Sequence, residues 1–194
     1  TFWHGSYQHL QNVTDLEISV LNGEVILFSA SGADGGLTPF KLVNGKKAAL
    51  VDYTGYGVNS GTAGVTDIEI AEVDGEEVLI PSGQYDDNLA FHALSTSGDF
   101  AGASSAWEQG TLGGFTNVSV VASWDGTSVM VGSIRNTGGL CTFSFNGDAQ
   151  AVMAFEFPDT ESVYMRDAAA FVGLETQDQT FLFVASAFEH GVTS

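Results

Sequence analysis

The sequence predicts an all-β fold: a β-propeller of four-stranded antiparallel blades, incomplete in this chain, with three full blades and parts of two more. Three observations predict it. A short motif returns at a period of roughly 50 residues, the spacing at which propeller blades repeat. Hairpin signals recur at fixed places inside each period. The strands between them are apolar on both faces, so each small sheet can be buried only between neighbours.

The motif first stands as Val13-Thr14-Asp15-Leu16-Glu17-Ile18. It returns 52 positions later as Val65-Thr66-Asp67-Ile68-Glu69-Ile70 and after a further 50 as Phe115-Thr116-Asn117-Val118-Ser119-Val120. A fourth copy is expected to start at Met165-Arg166-Asp167-Ala168. Each copy opens a β-rich run that ends in Asn22-Gly23, Asp74-Gly75 or Asp125-Gly126. These dipeptides accept the positive φ that a type I′ turn requires. Second strands follow over 25–29, 78–82 and 129–133. Third strands carry Leu37 with Phe40, Leu89 with Phe91 and Leu140 with Phe143, and turn at Asn44-Gly45, Ser97-Gly98 and Asn146-Gly147. A fourth strand, such as 48–53, closes each unit.

The chain therefore divides into an outer strand of a preceding blade (1–12), blades at 13–64, 65–114 and 115–164, and the first half of a further blade (165–194). Trp3 stands ahead of the first repeat as Trp107 stands ahead of the third. In the last part only two strands are expected, over 168–174 and 180–185, with the chain stopping inside the following loop. Such ends leave strand edges and a sheet face open. The partners expected are the remaining blades, from the same precursor or from a second chain. The first residue is Thr1, so the chain is expected to begin after processing or within a longer product.

Composition narrows the function. Hydrophobic residues make up 44% and charged residues 15%, ample for a packed β protein. Against 24 acidic residues stand Lys41, Lys46, Lys47, Arg135 and Arg166, a net charge of -19 that repels polyanions and excludes nucleic acid as the expected partner. An acidic surface also suits a solvent rich in salt or divalent cations. Cys141 is the single cysteine, so no intrachain disulfide forms. No apolar run has the length of a bilayer, so no membrane span is expected.

Gly36-Leu37-Thr38-Pro39-Phe40-Lys41-Leu42, followed by Leu50-Val51-Asp52-Tyr53, resembles the propeller regions of secreted bacterial proteins that carry haemolysin-type calcium-binding repeats. It is similar, more distantly, to seven-bladed lactonase-like propellers. The resemblance implies a secreted protein, extracellular or at the cell surface. The calcium-binding nonapeptide itself is absent, because Gly32-Ala33-Asp34-Gly35-Gly36 is not repeated at nine residues.

In a propeller the starts of the innermost strands form a ring at one channel mouth. Asp15, Asp67, Asn117 and Asp167 are expected in that ring, with Glu17 and Glu69 two positions deeper. Such oxygen ligands could hold Ca²⁺. The competing reading is that each side chain bonds nearby backbone N–H groups. Loops between second and third strands open on the same mouth and carry Asp34, Asp86, Asp87, Asn88, Arg135, Glu189 and His190 as candidate ligand-binding residues. Catalytic residues are not expected: His4, His9, His92 and His190 are scattered, and the strand parity of His92 points to packing. The function expected is a non-catalytic extracellular or surface module for binding or assembly, whose mouth engages a glycan, a protein partner or a cation. A metal-dependent lactonase-like hydrolase and a structural subunit of a larger assembly are the alternatives.

Overall fold

The computed structural model describes residues 10–44, 46, 49–52, 62–73, 75–83, 85, 88–108, 115–124, 127–134, 139–145, 151–160, 165–166, 168–176, 179–186 and 191–193. Among the described residues four antiparallel sheets run in chain order, each a simple meander. The first holds β1 (Val13–Leu21), β2 (Glu24–Ser31), β3 (Gly36–Leu42) and β4 (Ala49–Leu50). The second holds β5 (Val65–Val73), β6 (Glu76–Gly83), β7 (Asn88–Leu94) and β8 (Phe100–Glu108). The third holds β9 (Phe115–Trp124), β10 (Thr127–Ile134), β11 (Leu140–Phe145) and β12 (Ala151–Phe157), and the fourth β13 (Ala168–Glu175), β14 (Thr180–Ser186) and β15 (Gly191–Thr193).

Local chemistry sets the hairpins. Asn22 and Gly23 have φ of 48° and 76°, the paired positive values of a type I′ turn. Gly98, in the Ser97-Gly98 turn, has φ 85°, and a Cβ there would stand 3.1 Å from side-chain carbons of Ile26 in the neighbouring sheet. Asp74, the Asp125-Gly126 and Asn146-Gly147 turns, Gly45 and the segment 1–9 with Trp3 lie outside the described residues.

β1 lies beside β5, β5 beside β9 and β9 beside β13. The first strand of every sheet is thus innermost, and the sheets follow one another around an axis as propeller blades do. Each sheet has a leading face toward the next sheet and a trailing face toward the one before. On the leading face of the first sheet Ile26, Phe28 and Ala30 are buried with Ile68 and Leu79 of the second, while Val51 and Phe100 pack at the outer side. Full burial of one such side chain contributes roughly 1.5–3 kcal/mol. His92 is buried, edge-on to Phe100 with ring centroids 5.6 Å apart, as its strand parity predicts.

The pairing register repeats, and it corrects one alignment. Val13↔Ser31 is followed by Asp15↔Ala30, and Val65↔Gly83 by Asp67↔Ser82, with the same bulge between. Val118↔Gly132 corresponds to Leu16↔Ser29, which puts Asn117 at the backbone position of Asp15. In the fourth sheet the bulge falls between Ala168↔Ser186 and Ala170↔Ala185. The Ser186 hydroxyl donates to the Arg166 carbonyl at 2.6 Å, as the Ser31 hydroxyl donates to that of Gln11. Ala170, and not the expected Asp167, therefore stands where Asp15 stands, three residues further along the chain. The segment expected to end in a loop also contributes β15, which pairs from Ser186↔Gly191 to Val184↔Thr193. Three residues are too few to show strand alternation in a sequence.

Candidate functional site

The mouth of the propeller is built where innermost strands start and where second strands turn into third ones. Ser31, the last residue of β2, pairs with Val13, the first of β1, so the Gly32–Gly35 turn sits beside the chain entering β1. Gln11 donates its N–H to the Asp34 carboxylate, at 3.0 and 3.3 Å to the two oxygens, and the Ser31 hydroxyl, 2.5 Å from the same carboxylate, shares its one proton between it and the Gln11 carbonyl. Gly32 adds its N–H to the Asn12 carbonyl at 3.1 Å. Asp34 is thus half-buried and ties its loop to the strand start; short side-chain acceptors hold turns in this way.

The Thr-Asp pair of the repeat acts across the blade junction. The Thr14 hydroxyl donates to the Val65 carbonyl at 2.8 Å, and the Ile68 N–H donates to Asp15 Oδ2 at 3.0 Å. Ile68 faces Pro81 in β6, which has no N–H, and its own N–H turns away from β6 to meet Asp15. Two further bonds join the same blades: Ser19 donates to Glu77, and the Phe100 N–H donates to Asp52 Oδ2 at 3.2 Å. Sequence reasoning missed this clamp. The signal was present, because Thr-Asp recurs as Thr66-Asp67, one blade on.

Asp67 is half-buried at the equivalent position of β5. Asn88 is the first residue of β7 and pairs with Glu108. Asp86, Asp87, Arg135, Asp167, Glu189 and His190 lie outside the described residues. Among the described residues no group of three or more His, Cys, Asp or Glu is placed to hold a metal ion.

Glu17 follows Asp15 on the leading stripe and sits opposite Phe28. Burial over the junction core pushes its carboxyl above the ordinary value of 4.5; the Ile18 N–H pulls it down and the Asp15 charge pushes it up. The folded chain therefore binds this proton more tightly than the unfolded chain does. Ionised Glu17 costs stability once the pH rises above the ordinary carboxylate range, and the cost disappears as the pH falls below it. Glu17→Gln is accordingly expected to raise the melting temperature at pH 7 and to leave it unchanged at pH 4, as read by thermal denaturation. A lower melting temperature at pH 7 would show that the ionised group is held favourably.

No family model matches the chain, and no curated protein does. Solved structures do. An exo-β-1,3-galactanase of Phanerochaete chrysosporium, solved with galactose, superposes with a TM-score of 0.57 over 87% of this chain and 41% of its own, at 12% identity. An exo-β-1,3-galactanase of Clostridium thermocellum gives 0.56 over 87% and 40%, at 9% identity. The chain spans about two fifths of the length of each. Both are β-propeller glycoside hydrolases, and the likeness extends to the propeller without the haemolysin-type calcium repeats. At such identity the fold is what is shared: this chain is an all-β propeller of four-stranded antiparallel blades, incomplete within these 194 residues.

Proposed function

We propose that this chain is part of an extracellular or cell-surface propeller that binds a glycan at its loop-bearing mouth without cleaving it. One observation supports the non-catalytic reading above others. The mouth carboxylate Asp15 takes the Ile68 N–H of the next blade, so its oxygen holds the scaffold together. Asp34 is engaged in the same manner by Gln11 and Ser31. A general acid or base needs its carboxyl within reach of substrate. Rigid scaffolds carrying varied loops are where binding surfaces develop, and the Asp34 bonds give this loop a fixed frame. Glycan as the ligand class is supported by the two galactanases that share the fold, one of them holding galactose.

The test is calorimetric titration with β-1,3-galactan oligosaccharides beside an assay of released reducing sugar. Binding heat without release is expected. Release of reducing sugar from these oligosaccharides would overturn this reading.

A further inference from the structure

The connection between β6 and β7 differs from that between β2 and β3 in what it shows to solvent. The pairings Val13↔Ser31 and Val65↔Gly83 align the two blades, so Tyr85 holds the position of Ala33, and Ala63 that of Gln11. In the first blade the Ser31 hydroxyl meets the Gln11 carbonyl. Gly83 stands in place of that serine and has no hydroxyl; here the Ala63 carbonyl accepts the Tyr85 N–H, at 3.0 Å. The Val65 N–H donates to the Thr62 carbonyl at 3.1 Å, and Thr62, Ala63 and Val65 are all buried. Tyr85 is thus anchored through its main chain to a packed base.

Its side chain points away from that base. Tyr85 is 71% exposed, the highest value among the described large hydrophobic residues. A Cβ on Gly32 would stand 3.0 Å from the Val65 carbonyl oxygen, so the turn that carries Asp34 lies against the base that carries Tyr85. Both connections open on the same mouth. A single exposed aliphatic side chain on a protein surface is ordinary. A tyrosine fixed by its main chain on a mouth loop is different, because two side-chain torsions suffice to order a large ring that joins an apolar face to a hydroxyl.

We infer that Tyr85 is the platform on which a sugar ring of a neutral glycan stacks, an inference that rests on the glycan-binding reading above. A pyranose carries C–H bonds on one face and hydroxyls around its rim. The C–H face lies flat on the tyrosine ring and removes apolar surface of both from water, while the rim hydroxyls meet water or polar groups of the mouth. Charge selects the class of glycan. A chain with net charge -19 repels uronic-acid and sulfated glycans and leaves neutral ones unaffected.

Calorimetric titration of the full chain with β-1,3-galactan oligosaccharides, comparing the parent with Tyr85→Ala and Tyr85→Phe, tests this. Tyr85→Ala is expected to weaken binding about tenfold or more, and Tyr85→Phe, which keeps the ring, to stay within about threefold of the parent. Both variants should melt at the parent temperature, because the side chain is exposed and the anchoring N–H belongs to the main chain. Oligogalacturonate of the same length should bind more weakly than the neutral oligosaccharide at low salt, and equal or tighter binding would overturn the neutral class. A parent that binds galactan while Tyr85→Ala binds it with the same affinity overturns the platform and leaves the glycan reading standing. A parent that binds no galactan overturns the glycan reading, and the platform falls with it.

Discussion

Ile68→Ala is expected to lower the stability of the chain by about 3 kcal/mol, through lost burial and the cavity left between the first two sheets. Ile68 is fully buried against the leading face of the preceding blade, in the cluster that contains Phe28 and Leu79. Leu16→Ala, the matching change one blade earlier, should cost less than about 1 kcal/mol, because an exposed side chain leaves no cavity. Urea denaturation of the two variants measures the difference. Equal costs would mean that the two positions have similar surroundings, contrary to the stacking of blades described above.

Asp15→Ala is expected to cost about 1–3 kcal/mol, the penalty for leaving a partly buried donor without its acceptor. The orphaned group is the Ile68 N–H. Asp15→Asn keeps an acceptor oxygen and should recover most of the loss. The same pair of variants separates a junction clamp from a cation ligand. A clamp gives the same loss with chelator as with millimolar Ca²⁺, whereas a ligand gives a loss that appears only when Ca²⁺ is present. Thermal melts under the two conditions read it directly.

What was legible in the sequence is what is local. Asn22-Gly23 announces its turn because the two residues themselves tolerate positive φ, and alternation over nine residues marks β1. The period follows from the recurrence of such signals. The role of Asp15 was not legible in the same way, because its partner lies 53 positions away and is a backbone N–H, which leaves no mark on residue identity. The fourth copy failed for a related reason: Asp167 resembles Asp15 as a residue, but the register is set by a bulge and by the Ser186 bond to the Arg166 carbonyl. The leading and trailing faces emerged only from pairing, since Leu16 and Ile68 are alike in sequence and opposite in exposure.

The propeller account stands most directly on the contact between innermost strands, and nuclear Overhauser effects in the labelled chain measure it. The arrangement predicts cross-peaks between the Ile68 amide proton and the Asp15 side chain, and between the Thr14 side chain and Val65. Cross-peaks that instead join Leu16 and Ile18 of β1 to Val172 and Leu174 of β13 within one chain, with none between Asp15 and Ile68, would mean that the sheets close on each other as a sandwich.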